Sequence, residues 1–282
     1  MDILTAVFLG IVQGLTEFLP VSSSGHLVLL REIFGIDMHE DMPSLFFDTM
    51  LHVGTLAAVF VVLWKDILAI LKKLIQPLTG YIILATIPAV IAALLFGDII
   101  EDAFETGRFL GFCFLITSAL LVSAELLYKR IDKKQIENKK MNWLDAVLIG
   151  VMQAVAIAPG ISRSGATIAG ALGRKLNRDF AARFSFLMSI PAILGATVLQ
   201  VRDLVRRSAY EIPAEASVAA TADSINAAAV VIGTITAAIV GFFAVKFMLK
   251  IIREKSLYGF AIYTGILGTL IIIDQFVTRI VF

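Results

Sequence analysis

Two short stretches of this chain gather ionisable and hydroxyl side chains inside strongly apolar surroundings. The first is Gln13-Gly14-Leu15-Thr16-Glu17-Phe18-Leu19-Pro20-Val21-Ser22-Ser23-Ser24-Gly25-His26, and the second is Pro159-Gly160-Ile161-Ser162-Arg163-Ser164-Gly165-Ala166-Thr167. Their chemistry is complementary. The first offers a carboxylate, Glu17, suited to hold a divalent cation or act as a base, hydroxyls led by Ser23 that can attack phosphorus, and an imidazole, His26, that can shuttle a proton. The second offers Arg163, whose planar guanidinium recognises phosphate with two donors at once. Ser162, Ser164 and Thr167 flank it with further donors, as Ser22 and Ser24 do in the first stretch. Gly160 and Gly165 let backbone N–H groups approach an anion closely. Charged groups are expensive in a membrane interior and by default mark a functional site.

The stretches are degenerate copies of one another. Gly10, Gln13, Ser22, Ser24 and Gly25 recur without gaps as Gly150, Gln153, Ser162, Ser164 and Gly165, while Ser23 becomes Arg163 and Glu17 becomes Ile157. Each residue also has a plainer use. Serine and proline in apolar helices often serve packing or a kink, Glu17 with Arg163 could be a structural ion pair, and His26 could cap a turn. For Gln13 and Gln153 a hydrogen bond across the local hairpin is the preferred reading, making Gln13 a supporting residue. Asp48 and His52, four apart on one helical face, are read as a polar helix mouth rather than as metal ligands.

These groups need elements that bring them together. The chain has 282 residues, 59% of them hydrophobic, with a mean hydropathy of +0.89, which marks an integral membrane protein. A formal net charge of +1 gives no sign of a nucleic-acid partner. The single cysteine, Cys113, excludes an intrachain disulfide. No basic segment precedes the first apolar stretch, so no removable signal peptide is expected.

Neither Ile3 to Leu19 nor Leu27 to Ile36 is long enough to cross a bilayer, so the two read as a re-entrant helical hairpin, about residues 3–36, with the Pro20 to Gly25 turn at its tip. Spans are expected at about Phe46 to Leu63, Tyr81 to Phe96 and Phe109 to Tyr128. The polar run Lys129 to Lys140 separates the halves. A second hairpin, about 143–175, is followed by spans at about Phe184 to Val201, Ala227 to Met248 and Gly259 to Phe276. The expected fold is therefore an all-α polytopic membrane protein with an inverted-topology repeat: residues 1–128, a cytoplasmic linker 129–142, and residues 143–282. Loops bearing Lys65, Lys72 and Lys73, the Lys129 to Lys140 run, Arg174 to Arg183 and Lys246 to Lys255 hold most of the basic residues, and the positive-inside rule makes them cytoplasmic. Both termini and the mouth of the first hairpin then lie outside. The Arg202 to Asn226 loop is expected to be external and partly helical.

At these motifs the sequence resembles the undecaprenyl-diphosphatase family, the bacitracin-resistance type of bacterial membrane phosphatase. Gln13 to His26 and Pro159 to Thr167 match its two long motifs, and Ala182 to Pro191 is also similar to the family. The resemblance implies hydrolysis of undecaprenyl diphosphate to undecaprenyl phosphate and inorganic phosphate, recycling the carrier lipid for peptidoglycan synthesis. It implies a divalent cation, Mg2+ or Ca2+, with Glu17 as metal-binding residue. It also implies a place in the bacterial cytoplasmic membrane with the active site facing outward. By position, Glu17, Ser23, His26 and Arg163 fall on the family's active-site residues. Gln13 stands where the family has either Glu or Gln.

The sequence leaves open whether Ser23 attacks phosphorus or positions a water. It also leaves a rival from another class, a lipid-phosphate flippase or anion transporter built on the same repeats. Such a carrier needs the Arg163 cradle but not Glu17, Ser23 and His26 together. Small residues such as Gly233, Gly241, Gly265 and Gly268 could pack spans within one subunit or across a homodimer.

Overall fold

The computed structural model describes residues 2–36, 42–211 and 227–282, and everything described is helix, turn or coil. Twelve α-helices follow in order: α1 (Ile3–Thr16), α2 (Ser23–Phe34), α3 (Met42–Val62), α4 (Trp64–Lys72), α5 (Pro77–Thr106), α6 (Leu110–Lys129), α7 (Lys133–Asn138), α8 (Trp143–Val155), α9 (Arg163–Gly173), α10 (Arg178–Glu211), α11 (Ala227–Glu254) and α12 (Tyr258–Ile273). A short π-helical segment, Asp274–Thr278, prolongs the last one.

Five helical segments among the described residues are long and apolar enough to cross a membrane: Pro77–Gly97, Leu110–Lys129, Arg178–Arg202, Ala227–Glu254 and Tyr258–Thr278. A sixth, Phe46–Val62, qualifies together with Trp64–Lys72, bent by 78° at Leu63. Helices lie at all six expected positions, five of them long and apolar enough alone and the first only as a bent pair, and most run longer than the apolar periodicity alone implies. The acidic stretch after Phe96, expected to end a span, continues α5 to Thr106 beyond a non-helical Phe96. Gly107, at φ 57°, then stops the helix in a left-handed cap that favours glycine. In the Arg202 to Asn226 loop, α10 extends through Glu211, and residues 212–226 lie outside the described region.

α1 and α8 are short, 14 and 13 residues, and each leads into a tight turn and a second short helix. The turns begin helices by side-chain capping, an economical way to satisfy N–H groups that have no water to turn to. Ser22 caps α2 and Ser162 caps α9, each accepting from the amide three residues on, Gly25 at 3.3 Å and Gly165 at 3.1 Å. Asn142 and Asp145 form a reciprocal capping box at the start of α8.

Packing crosses between the two parts of the sequence. α1 lies against α11, α8 against α5, α6 against α12, and α3 against both α10 and α11. Close approach is licensed by small residues: a β-carbon on Gly10 would meet the Gly233 carbonyl oxygen at 2.6 Å, and one on Gly150 would meet the Ala85 carbonyl oxygen at 2.5 Å. The glycines that could have served a homodimer are occupied inside the chain. Gly233 faces Phe47 and Ala6, Gly241 faces Ala58 and Thr55, Gly265 faces Ser118, and Gly268 faces Gly111.

Buried ion pairs close the end of the bundle that carries the Lys129 to Lys140 run. Glu125, fully buried, takes both terminal nitrogens of Arg178 at 2.8 and 2.7 Å and the Leu257 amide at 2.8 Å. Asp145, also fully buried, takes Arg174 at 2.7 Å and Lys139 at 2.8 Å. Glu125 thereby ties α6 to α10 and to the start of α12, Asp145 ties α8 to the end of α9, and removing one partner of either would strand a charge without water.

Candidate active site

The two turns touch in the interior. A β-carbon on Gly25 would lie 2.8 Å from the Gly160 Cα, and one on Gly165 would lie 3.3 Å from the Pro20 Cβ. The Ser164 hydroxyl donates across the junction to the Leu19 carbonyl at 3.0 Å. From α6, Thr117 donates to the Gly160 carbonyl and accepts from the Ser162 amide, both at 3.0 Å, and so holds the second turn open.

This junction brings Glu17, Ser23 and Arg163 together, as the residue types predict. Arg163 Nη2 donates to Glu17 Oε1. Ser23 Oγ donates to Glu17 Oε2 at 2.6 Å, and Gln13 Nε2 donates to the same oxygen at 3.0 Å. A hydroxyl hydrogen-bonded to a buried carboxylate is the pairing of a nucleophile with its base. Gln13 therefore bonds Glu17 one turn further along the chain and not across the hairpin as the sequence suggests, and the buried Gln153 side chain has no hydrogen-bond partner among the described residues. Arg163 Nη1 is buried and has no hydrogen-bond partner among the described residues, which leaves a charged donor for an anion on the residue that shares Glu17 with Ser23.

His26 is placed differently. Its Nδ1 lies 2.6 Å from the Ser22 carbonyl and its Nε2 lies 2.6 Å from the Tyr263 hydroxyl. A carbonyl can only accept, so Nδ1 carries the proton, and in the neutral ring Nε2 accepts from Tyr263. The ring stacks on Tyr263 and meets Phe114 edge-on. Both nitrogens are thus committed, and no direct bond runs from His26 to Glu17, Ser23 or Arg163. What the ring does is clamp Ser22, a non-glycine residue held at φ 69°.

The remaining hydroxyls are spent on shape. Ser22 and Ser162 cap helices, Ser24 lies 3.3 Å from the Ser22 hydroxyl, and Thr167 donates to the Arg163 carbonyl at 2.8 Å while sharing a bond with Ser185 at 2.7 Å. Gly160, at φ 91°, turns the chain so that Arg163 begins α9 facing the first turn. Arg163 is therefore the one member of the second motif whose side chain reaches the first motif's carboxylate.

Sequence matching decides what this arrangement is related to: residues 6–270 fit the bacitracin resistance protein BacA family. The chain belongs to that family. A relative from Carboxydothermus hydrogenoformans, named undecaprenyl-diphosphatase, is 44% identical over 275 residues, covering 98% of both chains. A Bacillus cereus relative named undecaprenyl-diphosphatase 3 is 44% identical over 283 residues, covering 99% of this chain and 100% of its own. A relative from Methanosphaera stadtmanae with the first of these names is 39% identical over 295 residues, covering 97% of this chain and 98% of its own.

The cation implied by the BacA-type motifs has a modest but suitable donor set. No group of three or more His, Cys, Asp or Glu side chains converges among the described residues, so no all-protein cage exists. Hard cations such as Mg2+ are often held by one or two carboxylates together with substrate phosphates. Glu17 supplies the carboxylate, and Gln13 Oε1 is a buried oxygen acceptor with no partner among the described residues. That orphaned acceptor beside Glu17 is what a hard cation would satisfy.

Two residues join the site that sequence reading left aside. Tyr263, on α12, carries no signal beyond an aromatic residue in an apolar span. His52 was set aside with Asp48, yet its Nε2 lies 3.7 Å from Glu17 Oε2. Asp48 does not share that position, because its carboxylate is taken by Arg31.

Proposed function

We propose that this BacA-family protein is an integral membrane phosphatase that hydrolyses undecaprenyl diphosphate to undecaprenyl phosphate and inorganic phosphate, recycling the carrier lipid for peptidoglycan synthesis and conferring bacitracin resistance. The observation that carries it is the Ser23–Glu17–Arg163 constellation: a nucleophile bonded to its base, with an unpaired guanidinium nitrogen alongside.

Arg163 binds the diphosphate and offsets the charge that spreads over the transferred phosphoryl oxygens, which is the main lever in phosphoryl transfer. Glu17 takes the Ser23 proton as Ser23 Oγ bonds to the terminal phosphorus, and the anhydride P–O bond breaks to release undecaprenyl phosphate. Water then attacks the phosphoserine: the phosphorus–Oγ bond breaks, Ser23 Oγ takes back the proton held on Glu17, and the freed carboxylate accepts a proton of the attacking water and passes it to solvent as inorganic phosphate leaves. A divalent cation, Mg2+ or Ca2+, held by Glu17 and Gln13, would supply further charge neutralisation when bound. His26 and Tyr263 keep the Ser22 turn in shape, while Ser24, Ser162, Ser164 and Thr167 fix the junction on which Ser23 and Arg163 face each other.

We read the architecture as an inverted repeat, residues 1–128 and 143–282 about the linker 129–142, with the paired turns as tips of re-entrant hairpins. Matched contacts support this. Gly10 on Gly233 has its counterpart in Gly150 on Ala85, and Gly25 on Gly160 in Gly165 on Pro20. The basic loops favour a bacterial cytoplasmic membrane location with the site open to the outer side. A carrier reading is not favoured, because moving an anion has no use for a hydroxyl paired with a base.

The test is phosphate release from a polyprenyl diphosphate by purified protein in detergent, with and without chelator, comparing wild type with Arg163→Ala and Glu17→Ala. Cation-dependent release lost in both variants is expected. A folded wild type that binds the lipid but releases no phosphate under any cation would overturn the proposal.

A further inference from the structure

Beside Glu17 Oε2, which accepts from Ser23 Oγ and Gln13 Nε2, stands the imidazole of His52. His52 Nδ1 is 2.8 Å from the Asp48 carbonyl, so that nitrogen carries a proton, and in the neutral form of the ring Nε2 is the lone-pair end. This Nε2 lies 3.7 Å from Glu17 Oε2, too far for a direct hydrogen bond. Gln13 Oε1, on the carboxamide that already holds the same Glu17 oxygen, is buried with no partner among the described residues. Glu17 Oε2 and His52 Nε2 thus face each other across 3.7 Å, and the Gln13 carboxamide that holds Glu17 carries a further oxygen acceptor without a partner among the described residues.

We propose that His52 Nε2 is a third ligand of the divalent-cation site, beside Glu17 and Gln13, and that it makes this protein's site favour a first-row transition ion such as Mn2+ over Ca2+. The inference rests on the reading that a divalent cation serves the phosphatase. Two ligands bonded to one ion at metal–ligand distances of about 2.0–2.2 Å sit about 3–3.5 Å apart. The observed 3.7 Å needs only a small closing movement. A metal-binding histidine usually donates its other ring N–H to a carbonyl or carboxylate, which fixes the ring and its tautomer, and the Asp48 carbonyl does that here. The His52 side chain keeps 34% of its exposure, so an ion reaches it without opening the fold. Imidazole suits transition ions, whereas Ca2+ prefers an all-oxygen shell of six to eight ligands.

The experiment uses metal-stripped full-length protein in detergent, labelled with 15N-histidine, titrated with Mn2+ and followed by pulsed electron paramagnetic resonance. Wild type should show hyperfine coupling from a directly bound imidazole nitrogen. His52→Gln should lose that coupling and weaken Mn2+ binding by about tenfold or more, while Ca2+ binding, measured by calorimetry, changes less than about threefold. His52→Asn repeats the comparison with a shorter amide, and because the chain has three histidines it is loss of the coupling in both variants that assigns it to His52. Mn2+ bound with no nitrogen coupling, or with unchanged affinity in both variants, overturns His52 as a ligand and leaves the cation reading intact. A wild type that binds no Mn2+ and releases phosphate equally well in chelator overturns the cation reading itself.

Discussion

Gly25 and Gly160 meet where the two turns cross, so closely that a β-carbon on Gly25 would sit 2.8 Å from the Gly160 Cα and 2.7 Å from the buried Phe114 ring. Backbone cannot yield as a flexible side chain can. Gly25→Ala should therefore cost about 1–3 kcal/mol or more in stability and separate Ser23 from Arg163. Gly165→Ala, whose nearest neighbours stand at 3.1 to 3.3 Å, should be milder. Thermal unfolding in detergent and phosphate release measured on both variants check the ranking.

Arg163 and Glu17 form a charge pair across the junction, and neither charge is easily replaced. Arg163→Lys keeps the charge but loses the fork that holds a carboxylate and a phosphate together, and should lower turnover by about 100-fold or more. Glu17→Gln strands the guanidinium and removes the base. The double variant should lose much less than the sum of the two single losses, because the residues act as a unit. A double-mutant cycle on phosphate release reads this directly, and additive losses would show that the two act separately.

Tyr263→Phe preserves the ring stacked on His26 but deletes the hydroxyl bonded to Nε2. An unpaired buried acceptor costs about 1–3 kcal/mol, so the variant should unfold at lower temperature yet keep most of its turnover. His26→Ala should lose more activity than Tyr263→Phe, since it also frees the Ser22 carbonyl and with it the turn that presents Ser23. Equal losses in the two variants would point to the hydroxyl, not the turn, as the functional element.

At the other end of the bundle, Glu125→Ala leaves Arg178 without its carboxylate and the Leu257 amide without its acceptor. The expected cost is about 3–5 kcal/mol of stability, with turnover per folded molecule nearly unchanged because the pair lies away from the paired turns. Scanning calorimetry and activity normalised to the folded fraction separate the two effects.

The proposed orientation puts α7 inside the cell and the C-terminal segment outside. In a Cys113→Ser background, a cysteine at Lys134 should resist membrane-impermeant maleimide in right-side-out vesicles until the membrane is opened. A cysteine at Ile280 should label at once. The reverse pattern would place the site on the cytoplasmic side.

Much of this was legible because the membrane makes polar residues conspicuous. Glu17 and Arg163 stand out against apolar neighbours, and their meeting follows from two turns that resemble each other in sequence. The directions of small hydroxyls were not legible. Ser162, Ser164 and Thr167 look like phosphate donors in a motif, but a hydroxyl takes whichever partner is nearest: here Ser162 accepts from the helix-capping Gly165 amide, while Ser164 and Thr167 donate to the Leu19 and Arg163 carbonyls. His52 was undervalued for a different reason. Its only ionisable neighbour in sequence is Asp48, and its approach to Glu17 depends on α1 and α3 both packing against α11, a helix far away along the chain.

The same partnering governs how the protein comes into being. α1 finds its main packing surface on α11, which is made more than two hundred residues later, while α8 pairs backward with α5. Until α11 is made, α1, which leads into Glu17, therefore lacks its main packing partner. A chain cut short before α11 would carry every residue of both motifs and still leave α1 and α3 without the surface that holds them together.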